Sequence, residues 1–446
     1  MRVTIVGTGY VGLVSGIGLA ERGHQVTAVE LDADKVARIN RGEPPIHEPG
    51  LEELLRRHVG HRFRATTSLG EALHESQVSM IAVGTPVDGV RIDLGAVTAA
   101  SRQIGSALRD FPGYHVVTVK STVIPKTTEE VVLPALESAS GKQAGRDFGV
   151  CVNPEFLTEG QAVHDFLHPD RIVIGSIDQR SGALLEELYQ GFQAPVVHTN
   201  PRTAEMIKYV SNAMLATAIS FSNEIADLCS RLGGIDVAEV MRGVHLSEYL
   251  TPALPDGSKV RAPLASFFEA GCGFGGSCLP KDVKALVTQG KEAGIRLRML
   301  EAVLEVNAGR IDEVIRLLRR HIPSLAGARV TVLGLAFKPD TDDIRESPGV
   351  RIVDRLIAEG AHVTGYDPVA HPHLNGGPGA ATLAQTLEAA VAQAEAIVIA
   401  TRWEEFRGLA ALLRAREPQP VVVDGRRLLD PASVARYEGI GRSPLT

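Results

Sequence analysis

The amino-terminal residues follow a pattern of strand, glycine turn, helix and strand. The β-branched stretch Val3–Val6 runs into glycines, and helix-forming residues follow from Val11 to Glu21. Three more apolar stretches have the length of buried strands: residues 26–29, 78–83 and 115–119. Alternating strands and helices predict a parallel, doubly wound sheet.

The pattern changes near residue 200. Asn200 can cap a helix that has Pro201 at its first position, a mostly apolar stretch continues to Leu232, and Gly233 and Gly234 can end it. About 30 helical residues span roughly 45 Å. Such a helix fits a spine between domains or a dimer interface, and a single buried helix is the alternative.

From residue 329 the strand-and-turn pattern returns. Residues 329–337, RVTVLGLAF, echo residues 2–10, RVTIVGTGY, and residues 362–367 echo residues 24–30. This internal repeat predicts a second α/β sheet. Because the second copy lacks the full glycine fingerprint, we expect it to bind something other than a dinucleotide, or to bind it differently.

Length, composition and charge narrow the class of protein. A chain of 446 residues with 44% hydrophobic residues predicts two or three folded domains. The net charge of −7 is spread along the chain without a basic block, which argues against nucleic acid or an anionic membrane as a partner. No apolar run approaches the roughly 20 residues of a membrane helix, and the amino terminus does not resemble a signal peptide. Four irregularly spaced cysteines do not form a disulfide framework, so we predict a cytoplasmic protein.

The first motif with chemistry is the sequence Gly7-Thr8-Gly9-Tyr10-Val11-Gly12. It follows a strand and opens a helix, and Glu30 closes the second strand, as in dinucleotide-binding turns. A carboxylate there accepts hydrogen bonds from ribose hydroxyls and repels the 2′-phosphate of NADP, so the motif predicts NAD. A glycine turn without a ligand is the alternative.

The second motif is the glycine-rich segment 271–282, GCGFGGSCLPKD. Glycine adds no packing, so its gain here is backbone access beside Cys278. A thiolate at Cys278 can attack a carbonyl carbon, helped by Lys281. A buried structural cysteine in a tight turn is the alternative.

Two further pairs of polar residues are spaced four apart. Glu155 and Glu159 share a face if that segment is helical, and paired carboxylates can act as general bases. Lys208 and Asn212 lie on the long helix and can stabilise an oxyanion. A solvated turn and a surface lysine, respectively, are the alternatives.

Together these segments resemble the UDP-glucose/GDP-mannose dehydrogenase family over nearly the whole chain. The resemblance rests on residues 7–12, 120–122, 153–157, 168–171, 205–209, 273–282 and 337–347, in the family's order. It implies an α/β fold of two Rossmann-like, doubly wound parallel-sheet domains joined by a long central helix and a helical middle domain that forms a homodimer. The implied boundaries are 1–199 for NAD binding, 200–312 for the dimerisation domain and 313–446 for the nucleotide sugar.

The resemblance also implies roles for individual residues. The implied catalytic residues are Cys278 as the nucleophile with Lys208, Asn212, Asp282, Thr122, Glu155 and Glu159. The implied cofactor-binding residues are Gly7, Gly9, Tyr10, Val11, Gly12, Glu30, Lys35, Thr85, Thr122, Lys281 and Arg345. The implied substrate-binding residues are Glu155, Phe156, Leu157, Lys208, Asn212, Arg261, Phe267, Gly275, Lys338 and Arg426. No metal ion is implied.

The implied reaction is a four-electron oxidation of UDP-glucose to UDP-glucuronate with two NAD. A base, Lys208 or a water held by Thr122 and Asp282, removes the C6 hydroxyl proton; Cys278 then carries a thiohemiacetal and a thioester, and water near Glu155 or Glu159 hydrolyses the thioester. Ser277 resembles the glucose and mannose branches of the family, and residues Gly273–Gly276 resemble the UDP-glucose branch more than the GDP-mannose branch. Oxidation of dTDP-glucose or GDP-mannose, a one-step NAD-dependent β-hydroxyacid dehydrogenase and a non-enzymatic NAD-sensing module stay open as alternatives.

Overall fold

The computed structural model describes residues 1–88, 91–371 and 381–443. The chain divides into two compact units, residues 1–211 and 212–446, and the division falls within one long helix. The predicted α/β class is confirmed in each unit by a sheet built from buried strands.

The first unit contains an eight-stranded sheet in its described residues. Its strands are β1 (Arg2–Val6), β2 (Gln25–Val29), β3 (Phe63–Thr66), β4 (Val78–Ile81), β7 (Val116–Val119), β8 (Gly149–Val152), β9 (Ile172–Ser176) and β10 (Val196–Thr199), and a separate hairpin pairs β5 (Val87–Asp88) with β6 (Arg91–Ile92). The strand order is β10-β9-β8-β7-β4-β1-β2-β3. Neighbouring strands are parallel except β8 and β9, which run antiparallel, so the expectation of a wholly parallel sheet is wrong at this one place.

In the part of the second unit that the structure describes, six strands form a sheet whose neighbouring strands are all parallel. Its strands are β11 (Arg329–Leu333), β12 (His362–Tyr366), β13 (Thr382–Leu383), β14 (Ala396–Ile399), β15 (Val421–Asp424) and β16 (Tyr437–Gly439), in the order β13-β12-β11-β14-β15-β16. The order matches β3-β2-β1-β4-β7-β8 of the first sheet strand for strand. The predicted internal repeat is therefore confirmed in the topology.

Helices connect the strands and cover the sheets. Those of the first unit are α1 (Tyr10–Glu21), α2 (Ala33–Asn40), α3 (Leu51–His58), α4 (Leu69–His74), α5 (Gly95–Leu108), α6 (Leu133–Ser140), α7 (Ala162–Leu167) and α8 (Gln179–Leu188). The long helix is α9 (Pro201–Leu232), and the second unit adds α10 (Val237–His245), α11 (Leu279–Glu292), α12 (Arg298–Ala308), α13 (Arg310–Arg319), α14 (Pro348–Ala358), α15 (Leu387–Val391) and α16 (Leu409–Leu413).

Helix α9 has the bounds that its sequence predicts. Asn200 caps it by accepting a hydrogen bond from the Thr203 N–H at 2.9 Å. Its exposed side carries large apolar residues: Met206, Val210, Met214, Phe221, Leu228 and Leu232. The interpretation as a single buried helix is therefore wrong.

A close approach of backbone to backbone recurs at the first crossover of each sheet. A Cβ atom on Gly12 of α1 would lie 2.0 Å from the carbonyl oxygen of Gly7, and one on Gly349 of α14 would lie 2.0 Å from that of Gly334. Gly7 and Gly334 both have a left-handed backbone, with φ of 101° and 98°. The second copy thus keeps two of the three glycine positions of the fingerprint, although a longer loop separates them.

In the described parts of the chain, no helix combines the length and the apolar character that crossing a membrane requires.

The close approach predicts that Gly349→Ala destabilises the second unit by about 1–3 kcal/mol, because the new methyl group meets a backbone carbonyl that cannot move away. A lower midpoint of thermal or urea unfolding measures this loss. Gly408→Ala is the matched control, because its Cβ meets no described atom within 4 Å and its φ of −69° suits alanine. We expect the control to keep or slightly raise the stability, and equal midpoints for both variants would contradict the packing argument.

Candidate active site

The glycine turn between β1 and α1 leaves open space at the amino-terminal end of the helix. Gly9 is the N-cap residue of α1, and among the described residues nothing lies within 4 Å of the position of its missing Cβ. Backbone N–H groups at a helix amino terminus attract phosphate. The turn therefore fits the pyrophosphate of a dinucleotide.

Glu30 lies directly after β2, beside this turn. It accepts hydrogen bonds from Thr8 Oγ1 at 2.6 Å and from the Leu31 N–H at 2.8 Å. Burial alone would raise the pKa of Glu30, but these hydrogen bonds and the charge of Lys35 together hold it below its usual value. Glu30 is thus a carboxylate at neutral pH, as selection of a ribose over a 2′-phosphate requires.

Buried polar residues follow the next strands of the first sheet. Lys120 follows β7, and its Nζ donates to Oδ1 of Asn153, which follows β8, at 2.9 Å; Tyr189 donates to the same oxygen. Burial lowers the pKa of Lys120 to about 8, against the opposing charge of Glu155, and Lys208 lowers it further. Lys120 and Asn153 lie within the sequence motifs, but the sequence alone assigns them no role. The signal that could have identified them is a polar residue at the carboxyl end of a buried strand, where ligands of open α/β sheets bind.

Glu155 and Lys208 form a buried ion pair in the first unit. The Lys208 Nζ lies 2.9 Å from Glu155 Oε1, and the two side chains are only 5% and 6% exposed. Burial raises the pKa of Glu155, but the charge and hydrogen bond of Lys208 outweigh this effect and hold it below its usual value. The interpretation of Lys208 as a surface lysine is therefore wrong.

The segment of Glu155 and Glu159 is not helical, so the two residues do not share a helix face. Glu155 Oε2 accepts from the Leu157 N–H at 2.7 Å, and the guanidinium of Arg171 lies 3.7 Å from the centre of the Phe156 ring. The interpretation of Glu155 as part of a solvated turn is wrong, because it is buried.

Thr85 and Thr122 are joined within the same unit. The Thr85 hydroxyl donates to the Thr122 carbonyl at 2.8 Å. The loop after Thr122 is fixed by the buried Glu205 of α9, which accepts from the N–H groups of Lys126 and Thr128 at 2.7 and 2.9 Å. Burial raises the pKa of Glu205 to about 7.

Cys278 lies at the amino-terminal end of α11 in the second unit. It is the half-buried N-cap residue of that helix, and Ser277 Oγ lies 3.4 Å from its sulfur. The positive end of a helix favours negative charge, so the position favours a thiolate.

Asp282, in the first turn of α11, is fully buried and gathers two predicted residues. Its Oδ1 accepts from Lys281 Nζ at 2.6 Å, and its Oδ2 accepts from Asn212 Nδ2 at 2.6 Å. The structure therefore brings Lys281, Asp282 and Asn212 together.

The glycines before Cys278 pack against neighbouring backbone. A Cβ on Gly271 would lie 2.7 Å from the Gly425 carbonyl oxygen, and one on Gly275 would lie 2.3 Å from that of Glu346. Gly273 and Gly276 have positive φ values of 89° and 81°. Close packing is thus a second reason for these glycines, besides the backbone access expected from the sequence.

Cys272 and Arg426 hold the glycine-rich loop in place. The Cys272 thiol is buried and donates to the Gly425 carbonyl at 3.6 Å, and burial raises its pKa. The half-buried Arg426 guanidinium donates to the carbonyls of Ala400 at 2.7 Å and Gly273 at 3.3 Å. These contacts favour a structural role for Cys272.

The other predicted substrate and cofactor residues of this unit lie on loops, except Phe267. Arg345 forms two parallel hydrogen bonds with Asp343, and the Lys338 Nζ lies 5.7 Å from the centre of the Phe337 ring. Arg261 donates to Glu269 at 3.0 Å, and Phe267 ends the short 3₁₀ helix Pro263–Phe267.

Three family models match successive parts of the chain. They describe the UDP-glucose/GDP-mannose dehydrogenase family and are its NAD-binding domain over residues 1–193, its central domain over residues 202–309 and its UDP-binding domain over residues 331–431.

Individual relatives match over almost their full lengths. UDP-glucose 6-dehydrogenase AglM of Haloferax volcanii is 41% identical over 99% of both chains. GDP-mannose 6-dehydrogenase of Pseudomonas putida is 38% identical over 99% of this chain and all of its own. The solved structure of a UDP-glucose dehydrogenase from Pyrobaculum islandicum is 38% identical, with a TM-score of 0.89 over 99% of this chain and 98% of its own.

These matches confirm the enzyme class predicted from the sequence. The chain is an NAD-dependent oxidoreductase that acts on a CH–OH group of a nucleotide sugar. This class disfavours the two alternatives of a one-step hydroxyacid dehydrogenase and an NAD-sensing module. With three domain models matched in order and relatives aligned from end to end, the chain belongs to the UDP-glucose/GDP-mannose dehydrogenase family.

Proposed function

We propose that this enzyme is a UDP-glucose 6-dehydrogenase that oxidises the C6 alcohol to a carboxylate through a covalent intermediate on Cys278. The observation that carries the proposal is the position of this thiol at the amino terminus of α11, next to the buried group of Lys281, Asp282 and Asn212. The UDP-binding model and the relatives named UDP-glucose 6-dehydrogenases support uridine and glucose over the alternatives GDP-mannose and dTDP-glucose.

When bound, NAD would supply the hydride acceptor for each of the two oxidations. We assign its pyrophosphate to the turn of residues 7–12, its ribose to Glu30, and further contacts to Lys35, Thr85, Thr122, Lys281 and Arg345. The open space at Gly9 and the ionised Glu30 support this assignment.

In the first oxidation the C6 hydroxyl loses its proton to a base and C6 loses a hydride, which leaves an aldehyde. We assign Lys208 as the base. Lys120 and Lys208 are both buried, and burial and the like charge of Lys208 lower the pKa of Lys120, so two protonated lysines repel each other there. Asn212 and Lys208 then stabilise the negatively charged oxygen of the adduct that the aldehyde forms with Cys278.

In the second oxidation the Cys278 sulfur adds to the aldehyde carbon and forms a thiohemiacetal. Loss of the second hydride converts it to a thioester, and a water molecule activated near Glu155 or Glu159 cleaves the C–S bond. The sugar thus loses four electrons as two hydrides and gains one oxygen from water. Covalent capture explains how one enzyme completes both oxidations without releasing the aldehyde.

Substrate contacts and assembly complete the proposal. We assign the substrate to Phe156, Leu157, Arg261, Phe267, Gly275, Lys338 and Arg426, besides Glu155, Lys208 and Asn212.

We retain the three-part division 1–199, 200–312 and 313–446. A homodimer through α9 is supported by the apolar exposed side of that helix. A cytosolic location is supported by the four cysteines, all within the described residues and none in a disulfide.

The nucleophile role predicts that Cys278→Ser loses steady turnover by more than ~1000-fold, the scale expected when a covalent nucleophile is removed. The change is nearly isosteric, so the fold should be retained. Steady-state NADH formation with UDP-glucose and mass spectrometry of the protein after incubation measure the loss and any bound ester. Cys272→Ser is the matched control, because its hydroxyl can still donate to the Gly425 carbonyl. Wild-type turnover in Cys278→Ser, with two NADH per sugar, would refute the covalent mechanism.

The Glu30 carboxylate predicts that kcat/KM is at least ~100-fold higher with NAD than with NADP, because a carboxylate beside a phosphate costs several kcal/mol. Glu30→Gln should reduce this preference, whereas Asp34→Asn, which neutralises an exposed carboxylate four residues later, should keep it. Equal kcat/KM values for both cofactors in the wild-type enzyme would disprove the role of Glu30.

The apolar side of α9 predicts a dimer at micromolar concentration. Met214→Lys places a charge on this side and should shift the mass measured by light scattering towards the monomer. Met299→Lys on α12 is the control, because Met299 is also exposed, 72% against 54% for Met214, but lies outside α9. A monomeric wild-type protein, or equal dissociation of both variants, would count against this interface.

A further inference from the structure

Glu48 is a buried carboxylate that none of the sequence motifs contains. It lies before α3, is only 6% exposed, and its backbone carbonyl accepts from the Leu51 N–H at 3.2 Å. Leu51, Leu54 and Leu55 of α3 are buried in the core of the first unit. The backbone that carries Glu48 is thus held by a packed helix.

The Glu48 carboxylate holds one end of the segment that carries Glu155 and Glu159. Its Oε2 accepts from the Gly160 N–H and its Oε1 from the Ala162 N–H, each at 2.7 Å. Gly160 directly follows Glu159 and has a φ of 83°. The other end of the segment is held by the ion pair between Glu155 and Lys208.

The same carboxylate also binds the cofactor turn. Tyr10, the fourth residue of the glycine motif, donates its hydroxyl proton to Glu48, and the Gly160 N–H lies 3.1 Å from the Tyr10 oxygen. Burial and Glu48 raise the pKa of Tyr10, and the charge of Glu159 adds to this effect, which brings Glu159 into the same neighbourhood. Tyr10, Glu48 and Gly160 therefore form one hydrogen-bonded group.

A carboxylate that accepts two backbone N–H groups and a phenol fixes three points at once. The N–H groups lie on the carboxylate-bearing segment and the phenol lies on the turn that receives the cofactor. Since displacements of about 1 Å at a reacting group can cost ~100-fold in rate, such a fixed point matters for a step that depends on an ordered water.

We propose that Glu48 is a positioning residue that ties the segment of Glu155 and Glu159 to the cofactor turn through Tyr10, and that hydrolysis of the acyl group on Cys278 depends on it. This role rests on the two-step reaction proposed above. It predicts a defect in hydrolysis with both hydride transfers preserved.

The test is rapid-mixing kinetics of NADH formation with UDP-glucose, on Glu48→Gln. Glutamine keeps the size of the side chain but has one acceptor oxygen, and its amide N–H₂ opposes one of the backbone N–H groups. We expect a burst of NADH with the wild-type rate and amplitude, followed by a steady phase that is ~100-fold slower. Mass spectrometry should find the acyl group on Cys278 during the steady phase.

Two further variants keep the test decisive. Tyr10→Phe leaves both backbone hydrogen bonds of Glu48 and should slow the steady phase in the same direction by less. Glu43→Gln is the matched control, because Glu43 lies on the same connection and forms an exposed pair with Arg41. It should show wild-type kinetics.

Two outcomes would overturn the positioning role without affecting the proposed two-step reaction. One is wild-type steady turnover in Glu48→Gln. The other is a decrease in the burst rate, the steady rate and the unfolding midpoint together. The latter is what a merely structural residue would give. One NADH per sugar from the wild-type enzyme would instead refute the two-step reaction, and this role of Glu48 with it.

Discussion

Both sheets depend on a helix backbone passing so close to the end of the preceding strand that only a hydrogen atom fits between them. Gly12 and Gly349 meet the carbonyl oxygens of Gly7 and Gly334 in this way. The approach fixes where each helix begins relative to the carboxyl edge of its sheet. It therefore places helix amino termini, which attract anions, where ligands of open α/β sheets bind.

The two copies differ in what the acidic residue after the second strand does. In the first unit Glu30 accepts from the Thr8 hydroxyl and from the N–H groups of Leu31 and Asp32, and it keeps its charge beside the open space at Gly9. In the second unit the equivalent Asp367 is buried, and it accepts from the N–H groups of Leu335 and Ala336 at 2.8 and 2.9 Å. Because Asp367 is buried and already accepts from two N–H groups of the turn after β11, it is closed to a ribose hydroxyl, which agrees with the expectation that the second sheet does not bind a dinucleotide in the same way.

Buried charges of the first unit collect at the carboxyl ends of β7 and β8. Lys120 is paired with Asn153, Glu155 with Lys208, and Glu48 with the backbone after Glu159. In each pair the two partners come from distant parts of the chain. Removing one partner leaves the other buried without compensation, which is expensive. The same pairing that stabilises the unit therefore fixes the geometry that the proposed reaction needs.

The sequence by itself determined the glycine turn after β1, the repeat that gives the second sheet, and the bounds of α9. Hydrophobic period, capping residues and glycine position act over a few residues, and Asn200 and Pro201 set the start of α9 in this way. The sequence did not determine the direction of β9, because a buried apolar run looks the same in a parallel and in an antiparallel strand. It also did not determine the irregular backbone around Glu155. Only the tertiary structure decided that Lys208 is buried, that Cys272 holds a loop and that Glu48 joins two segments. The physical reason is that the partner of a buried polar group lies tens to hundreds of residues away, and no local pattern encodes which distant residue will arrive there.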